Sequence, residues 1–144
     1  MDFKVDECIF FQLAKASQAG TRFWSSRVSG MGITAVQAMV MNFLGQGDEV
    51  TATDLGRRTA LDSATLTGVI DRLESSGLVE RKRHPEDRRA ILICLTNTGR
   101  KIAGELFPMA IVANREFLSG LNANEQKALH KLLGKIRQSS VEEE

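Results

Sequence analysis

Residues that usually build metal sites and thiol chemistry are scarce in this sequence. Among its 144 residues there are two cysteines and two histidines, and tyrosine is absent. Cys8 and Cys94 lie far apart, and neither a CxxC motif nor a cysteine–histidine cluster occurs. Structural metal sites need several such ligands at short, regular spacing. The sequence therefore predicts no metal and no other cofactor.

The motifs of common catalytic centres are also missing. Ser25 and Ser26 have no histidine and aspartate partners at a recognisable spacing, and no glycine-rich phosphate loop follows a predicted strand. The two histidines, His84 and His130, are isolated from each other and from both serines. An enzyme is the first alternative to consider, and these absences lead us to expect that the chain is not one.

Long apolar runs and a leader-like start are absent as well. Asp2, Asp6 and Glu7 place acidic charge where a signal peptide is basic, and no apolar run approaches the length of a membrane span. We therefore expect no membrane partner and a cytoplasmic location.

Proline is rare, with two residues in the whole chain, while apolar residues make up 42% of it. Proline interrupts helices, so its scarcity favours long helical segments. The apolar content is high enough to form a core and argues against disorder throughout. The composition predicts a mainly helical globular chain.

Apolar residues at helical spacing, together with capping residues, predict where the helices begin and end. A first helix is expected over residues 8–28. The remaining helix starts are predicted at Thr34 (a capping box with Gln37), Thr53, Asp62, Thr96 and Asn122 (with Glu125). Turn residues are expected at 45–48 and a short strand at 50–52. Pro108 is expected to kink or split the helix that contains it.

Two short helices, expected at 53–60 and 62–76, have little room between them. This is the helix-turn-helix arrangement, whose second helix enters the DNA major groove. Its inward face is apolar, whereas its outward face carries small residues and hydroxyls that can approach base edges and phosphates closely. The alternative is a capped surface helix with no ligand. The candidate DNA-contacting residues on this helix are Ser63, Ala64, Thr65, Thr67, Gly68 and Arg72.

A charged hairpin follows the second helix, with strands expected at 78–84 and 90–95. Residues 81–89 contain five basic and two acidic residues, a local charge of +3, whereas the whole chain carries only +1. A long basic side chain at a hairpin tip suits the narrow minor groove. An ordinary solvated turn is the alternative. The candidate residues of this segment are Arg83, Asp87, Arg88 and Arg89.

The motifs of residues 50–100 resemble those of the multiple-antibiotic-resistance regulator (MarR) family. They are LDSATLT at 61–67, DRLE at 71–74, GLVER at 77–81, DRRA at 87–90 and LTNTG at 95–99. The resemblance implies a mainly α fold with a small β-hairpin wing, a winged helix-turn-helix at 33–97 between dimerisation helices at 1–32 and 98–144. It also implies a bacterial or archaeal homodimer that represses transcription at a palindromic operator in double-stranded DNA. In this arrangement Arg89 enters the minor groove and Asp87 positions it.

The resemblance further implies an effector, since many family members respond to small lipophilic compounds. The expected pocket lies between the dimerisation helices and the winged domain, and a phenolic acid or its coenzyme A thioester is the candidate ligand. An apolar pocket with a few polar groups suits such a molecule. At helical spacing the same residues are also typical of an ordinary core. The candidate ligand-binding residues are Phe11, Trp24, Arg27, Met39 and Phe43.

Two alternatives stay open. Cys8, near the start of the first helix, is similar in placement to the thiol of the peroxide-sensing branch of the family. The tyrosines of that branch are absent, however, and Glu7 places a negative charge beside a thiol whose reactive form is an anion. Cys94 falls in an apolar strand and is expected to be a packing residue. The second alternative is a winged module that binds a protein rather than DNA, against which the basic hairpin argues.

Overall fold

The computed structural model describes residues 3–140, so the acidic ends of the chain at 1–2 and 141–144 lie outside the described residues. Two short 3₁₀ turns, Val5–Glu7 and Ser29–Met31, flank the first helix. The other elements in chain order are α1 (Ile9–Val28), α2 (Ala35–Gln46), β1 (Val50–Thr51), α3 (Ala52–Thr59), α4 (Ser63–Ser75), β2 (Val79–Arg83), β3 (Ile91–Leu95), α5 (Asn97–Phe117) and α6 (Ala123–Ser139). A mainly α chain with a small β-hairpin is confirmed.

The three strands form one antiparallel sheet in the order β1-β3-β2. In its register Val79 faces Leu95 and Arg83 faces Ile91, while β1 pairs Val50 with Ile93. The central strand β3 is buried at its C-terminal half, which explains its apolar ILICL sequence. The hairpin tip projects beyond this paired region, as expected from the turn residues between the strands.

The core of the winged part lies where α2, α3 and α4 pack on this sheet and on α5. Leu66, Val69, Ile70 and Leu73 recur every three or four residues along α4 and are all buried, as their helical spacing predicted. Leu55 of α3 is fully buried against them. This packing leaves the opposite face of α4 exposed to solvent.

The capping residues are mostly those predicted, with one correction. Thr34 and Asn122 each form a complete capping box, and Asp62 and Thr96 each cap their helix. The prediction that Thr53 caps α3 was wrong, because Thr51 Oγ1 accepts the hydrogen bond from the Asp54 amide at 3.1 Å and the helix starts earlier. β1 therefore runs directly into α3 without a loop.

Three smaller predictions also need correction. Ala60, the last residue of the helix predicted at 53–60, lies outside α3; it is exposed, has a φ of 57°, and ends the helix in a left-handed conformation. The turn predicted at 45–48 starts later, because α2 continues to Gln46. Of the two outcomes expected at Pro108, a kink or a split, the split does not occur, because α5 runs unbroken from Asn97 to Phe117. A proline removes one helical hydrogen bond, and burial of Leu106 and Ala113 on either side holds the helix together.

The junction between α4 and α5 is closely packed. Thr96 Oγ1 donates to the carbonyl oxygen of Gly77 at 2.6 Å, and the Thr96 amide donates to that of Leu78 at 3.1 Å. Gly77 has a φ of +71°, as predicted for a left-handed residue after a helix. A Cβ atom added to Gly99 would lie 1.9 Å from the Leu78 carbonyl oxygen. Only glycine therefore allows the start of α5 to lie against the end of the α4 segment.

The terminal helices leave much of their apolar surface uncovered. Of the 20 residues of α1, Val28 is the one that is fully buried. Within α6, which the structure describes completely, no residue is buried, and Leu132 is 56% exposed. Leu133 and Ile136, on the stripe predicted for this helix, are exposed as well. A stripe of this kind needs a partner surface to be stable in water.

Across residues 3–140, no single helix combines the length and the apolar composition that crossing a membrane requires, although the helical segment Ile9–Met31 and α2 pass that test as a bent pair.

Candidate nucleic-acid interface and effector cleft

The N-terminus of α4 is held by its capping residue. Asp62 accepts hydrogen bonds from the Thr65 amide at 2.8 Å and from Thr65 Oγ1 at 2.7 Å. These bonds favour the charged carboxylate and lower the pKa of Asp62 below its usual value. The cap thus fixes where α4 begins, and a helix N-terminus of this kind is suited to phosphate oxygens.

The outward face of α4 is small and polar, as predicted. Ser63, Ala64, Thr65 and Thr67 are exposed, and a Cβ added to Gly68 would meet no other atom within 4 Å. The hydroxyl of Thr67 donates to the Ser63 carbonyl oxygen at 2.8 Å, so its oxygen remains available as an acceptor. A helix face without large side chains can lie deep in a groove.

Arg81 fastens α4 to the hairpin. Its guanidinium contacts the carboxylates of Asp71 at 2.6 Å and Glu74 at 2.7 Å, and its amide donates to Glu74 at 3.1 Å. The hydrogen bond to Asp71 is the main reason that the pKa of Arg81 is raised. Because these bonds join a helix to a strand, they fix the angle between the two exposed elements. Arg72, adjacent to Asp71, is exposed and faces away from the core.

The hairpin tip is ordered by hydrogen bonds to its own backbone. His84 Nδ1 accepts from the amides of Glu86 and Asp87, both at 3.1 Å. The Asp87 carboxylate accepts from the Arg89 amide at 3.0 Å. Asp87 thus holds the backbone of Arg89, whereas the sequence led us to expect contact with its guanidinium. The side chains of Arg83, Arg88 and Arg89 are exposed on the same hairpin.

A cleft of about 750 Å³ lies between the terminal helices and the winged part. α1, α2 and α5 form its walls, and Leu61, in the turn between α3 and α4, closes one side. A smaller cavity of about 380 Å³ lies beside it, on the side of Pro108. Both are mainly apolar. The aromatic and thioether residues of the larger cleft are Phe23, Trp24, Met39, Phe43, Phe107 and Phe117.

Arg58 connects this cleft to the helix-turn-helix. From α3 it donates to the carbonyl oxygens of Gly47 at 3.0 Å and Phe43 at 3.1 Å, and its guanidinium lies 5.8 Å from the centre of the Phe43 ring. These bonds satisfy carbonyl groups at the C-terminal end of α2. The ring that Arg58 contacts is also a wall of the cleft.

The comparisons with known proteins agree with this geometry. A family model described as MarR family matches residues 31–90. A solved structure, described as the mechanism by which 6-hydroxynicotinic acid regulates DNA binding of Bordetella bronchiseptica BpsR, shares 30% identity and a TM-score of 0.88, covering 95% of this chain and 98% of that chain. This chain belongs to the MarR family.

Two further MarR-family relatives indicate what this fold does in other organisms. The chain is 28% identical over 134 residues to the transcriptional repressor NicR of Pseudomonas putida, covering 93% of this chain and 85% of the relative. A cysteine-to-serine mutant of MarR from E. coli, solved with operator DNA, shares 28% identity and a TM-score of 0.82, covering 93% of this chain and 99% of that chain. The winged helix-turn-helix fold and a role in DNA-binding transcription regulation are therefore confirmed.

Within this MarR-family fold, the predicted effector residues separate into two groups. Trp24, Met39 and Phe43 line the cleft. Phe11 and Arg27 do not: Phe11 is 41% exposed near the start of α1, and Arg27 pairs with Glu116 at 2.6 Å while lying over the ring of Phe23. Helical spacing identified the correct helices but not which residues of α1 face the cleft.

Several cleft residues were missed by sequence reasoning. Asn42 of α2 lines both cavities, and its Oδ1 atom is buried without a hydrogen-bond partner. Phe107 also lines both, and Phe117 lines the larger one. Asn42 stands between Met41 and Phe43 in a mainly apolar stretch of α2, and nothing local in that stretch marks it as a cleft residue.

The two cysteines of the chain lie in different surroundings. Cys94 is buried in β3, and burial raises the pKa of its thiol, in agreement with a packing role. Cys8 is partly exposed at the residue before α1. Within residues 3–140, no group of three or more His, Cys, Asp or Glu side chains is placed to hold a metal ion.

Proposed function

We propose that the chain is a repressor that binds a pseudo-palindromic operator as a homodimer and leaves it when a small aromatic ligand enters the cleft. The family supports the DNA-binding role, and the relatives support both the operator and the ligand. The observation that carries the proposal is the place of the cleft: its walls include Phe43, which contacts Arg58 of the helix-turn-helix, and Leu61, next to the cap of α4.

Dimerisation is proposed to involve segments 1–32 and 98–144, with the winged domain at 33–97 between them. The uncovered apolar side chains of α1 and α6 support this assignment. Two copies related by a two-fold axis present two recognition helices, and their separation must match half-sites about one DNA turn, roughly 34 Å, apart.

The proposed DNA contacts are on two elements of each copy. On α4, the exposed small and hydroxyl residues approach base edges in the major groove, and Arg72 contacts a phosphate. At the hairpin tip, Arg89 enters the minor groove with Arg83 and Arg88 near the backbone, and Asp87 holds the turn that aims Arg89. The major-groove residues are Ser63, Ala64, Thr65, Thr67 and Gly68.

The effector is proposed to be a mainly apolar aromatic compound, and phenolic acids and their coenzyme A thioesters are the first classes to test. The relative BpsR, described as regulated by 6-hydroxynicotinic acid, supports a ring-containing ligand. The cleft volume lies within the roughly 300–1,000 Å³ of typical small-molecule sites. Such a ligand lowers the affinity for the operator if it binds more tightly to the dimer conformation in which the spacing of the two winged domains does not match the DNA half-sites.

The DNA part of this proposal is tested by replacing the wing arginine. We expect Arg89→Ala to weaken binding to a selected palindromic duplex by about 1–3 kcal/mol while the protein stays folded, because one groove contact per copy is lost. Fluorescence anisotropy measures the affinity, and Arg115→Ala, a charge change on α5, is the control. Equal affinity of Arg89→Ala and wild type would reject the wing assignment.

The effector part is tested by filling the cleft. Phenolic acids, their thioesters and 6-hydroxynicotinic acid are screened by thermal shift, and each compound that stabilises the protein is then tested for release of DNA. We expect Met39→Trp to bind DNA but to lose the response, and Met39→Leu to keep it. If no compound stabilises the protein, and oxidant releases DNA from wild type but not from Cys8→Ser, redox sensing replaces ligand sensing.

A further inference from the structure

One polar group in the cleft wall has no partner. Asn42 lies on the face of α2 that borders both the 750 Å³ cleft and the 380 Å³ cavity, and its Oδ1 atom is buried with no hydrogen bond among residues 3–140. Most of the surrounding wall is apolar. A buried acceptor without a donor is destabilising by about 1–3 kcal/mol, so its retention needs a physical reason.

The fold itself does not use this amide. The backbone of α2 is hydrogen-bonded along the helix, its N-terminus is capped by Thr34 and Gln37, and its C-terminal carbonyls are bonded by Arg58. Gln46, one turn further along the same face, also lines both cavities but is exposed to solvent. On the stretch of α2 that borders the cleft, Asn42 is thus the polar residue with a buried, unpaired side-chain atom.

A ligand can complete this hydrogen bond. The Asn42 residue as a whole is only partly buried, and the terminal torsion of an asparagine side chain is soft, so a small rotation turns the oxygen toward the cleft. An N–H or O–H group on an otherwise apolar occupant would then satisfy the acceptor. A molecule that lacks this donor would leave the oxygen unpaired, and sites built around such a group reject it strongly.

We propose that Asn42 is the specificity-determining residue of the cleft and selects ligands that carry an N–H or O–H donor on an aromatic body. This inference rests on the proposed function, because it assigns a polar requirement to the same cleft. It adds that the donor, and not aromatic shape alone, decides which compounds bind.

The test compares two probes that differ in one donor, 2-naphthol and 2-methoxynaphthalene, by isothermal titration with the full chain. We expect 2-naphthol to bind wild type at least about tenfold more tightly, which corresponds to roughly 1.4 kcal/mol. In Asn42→Leu, whose side chain has a similar volume, the ratio should fall to about one. Asn124→Leu, the same substitution at an exposed position of α6 that lines neither cavity, is the matched control and should keep the wild-type ratio.

Two additional readouts separate selection from a structural role. Asn42→Leu removes an unpaired buried acceptor, so its melting temperature without ligand should be equal to or above that of wild type. Asn42→Asp keeps an acceptor and should keep the preference for 2-naphthol. A lower melting temperature for Asn42→Leu together with an unchanged ratio would show that the amide serves the fold, and would overturn the inference.

The same probes distinguish this inference from the proposed function. If wild type binds both compounds equally, or binds neither, the role of Asn42 is overturned. If 2-methoxynaphthalene nevertheless releases DNA as well as 2-naphthol does, the cleft is still the effector site. If the preference for 2-naphthol depends on Asn42 but neither probe releases DNA, the role of Asn42 in ligand selection is supported and the regulatory role of the cleft is rejected.

Discussion

The winged part of the chain and its terminal helices differ in how completely each buries its apolar residues. Every apolar residue of the α4 stripe is buried, and the sheet, α2 and α3 close around it. In α6, by contrast, no residue is buried, and Leu132 and Ile136 are exposed. The winged part has a complete hydrophobic core, whereas the terminal helices are amphipathic and keep an apolar face exposed.

This difference separates a region whose packing is complete within one chain from a region whose exposed stripe, under the proposed function, is covered by a second copy. A complete core is sensitive to any added or removed volume. An uncovered helix face tolerates substitutions within the monomer, and their effect appears in assembly. The same kind of substitution should therefore change stability in one region and oligomeric state in the other.

The largest expected effect is on the stability of the winged part. Gly99→Ala places a Cβ 1.9 Å from the Leu78 carbonyl oxygen, so the backbone must move, and we expect a loss of about 3 kcal/mol or more in the free energy of unfolding. Gly104→Ala, on the same helix, meets no atom within 4 Å and should be neutral or stabilising. Chemical denaturation of both variants measures the contrast, and equal stabilities would contradict it.

A second effect should appear in assembly. Leu132→Glu introduces a charge on the exposed stripe of α6, and we expect the dimer to dissociate at least about 30-fold more readily, in line with roughly 2 kcal/mol for a central interface residue. Sedimentation velocity measures the change. Lys131→Glu, the preceding exposed position, is the control. A Leu132→Glu protein that remains as dimeric as wild type would show that α6 is not the interface.

The smallest expected effect is a difference in stability between variants of two ion pairs on β2. Arg81 joins β2 to α4, whereas Lys82 pairs with Glu80 within the strand at 3.1 Å. We expect Arg81→Met to lower stability by about 1 kcal/mol, because the pair is partly exposed, and to weaken DNA binding through the angle of α4. Lys82→Met should leave the fold unchanged. Equal losses of stability in the two variants would remove the distinction between them.

Much of the winged part could be predicted from sequence because its signals are local. Asp62 and Gly77 mark the ends of α4, and the apolar positions between them repeat with the helical period. The prediction placed the cap of α3 at Thr53, although Thr51, two residues earlier, is also a threonine. Thr51 is the cap because Val50 and Thr51 pair with β3, and that pairing is a tertiary contact that local sequence does not reveal.

The candidate effector residues were harder to predict because a cleft is made by elements distant in sequence. Trp24 and Phe43 could be predicted as cleft residues from their type and approximate place. Arg27 could not be excluded in this way, because it forms an ion pair with Glu116, 89 positions further along the chain. Nothing local distinguishes Asn42 from a solvent-facing residue of a helix. Its missing partner becomes evident only when α5 is packed against α2.

The contact of Gly99 with Leu78 also has a mechanical consequence. Thr96 and Gly99 fix the start of α5 to the end of the α4 segment. We therefore expect α4 and α5 to move together as one rigid lever. Its 21 residues give a length of about 30 Å at roughly 1.5 Å per residue. If α5 tilts by about 5° about its C-terminal end, its N-terminal end moves by roughly 2–3 Å. A tilt that moves the cleft-lining end of α5 only slightly therefore moves the end held to the α4 segment further, and under the proposed function that larger movement spoils the fit to DNA.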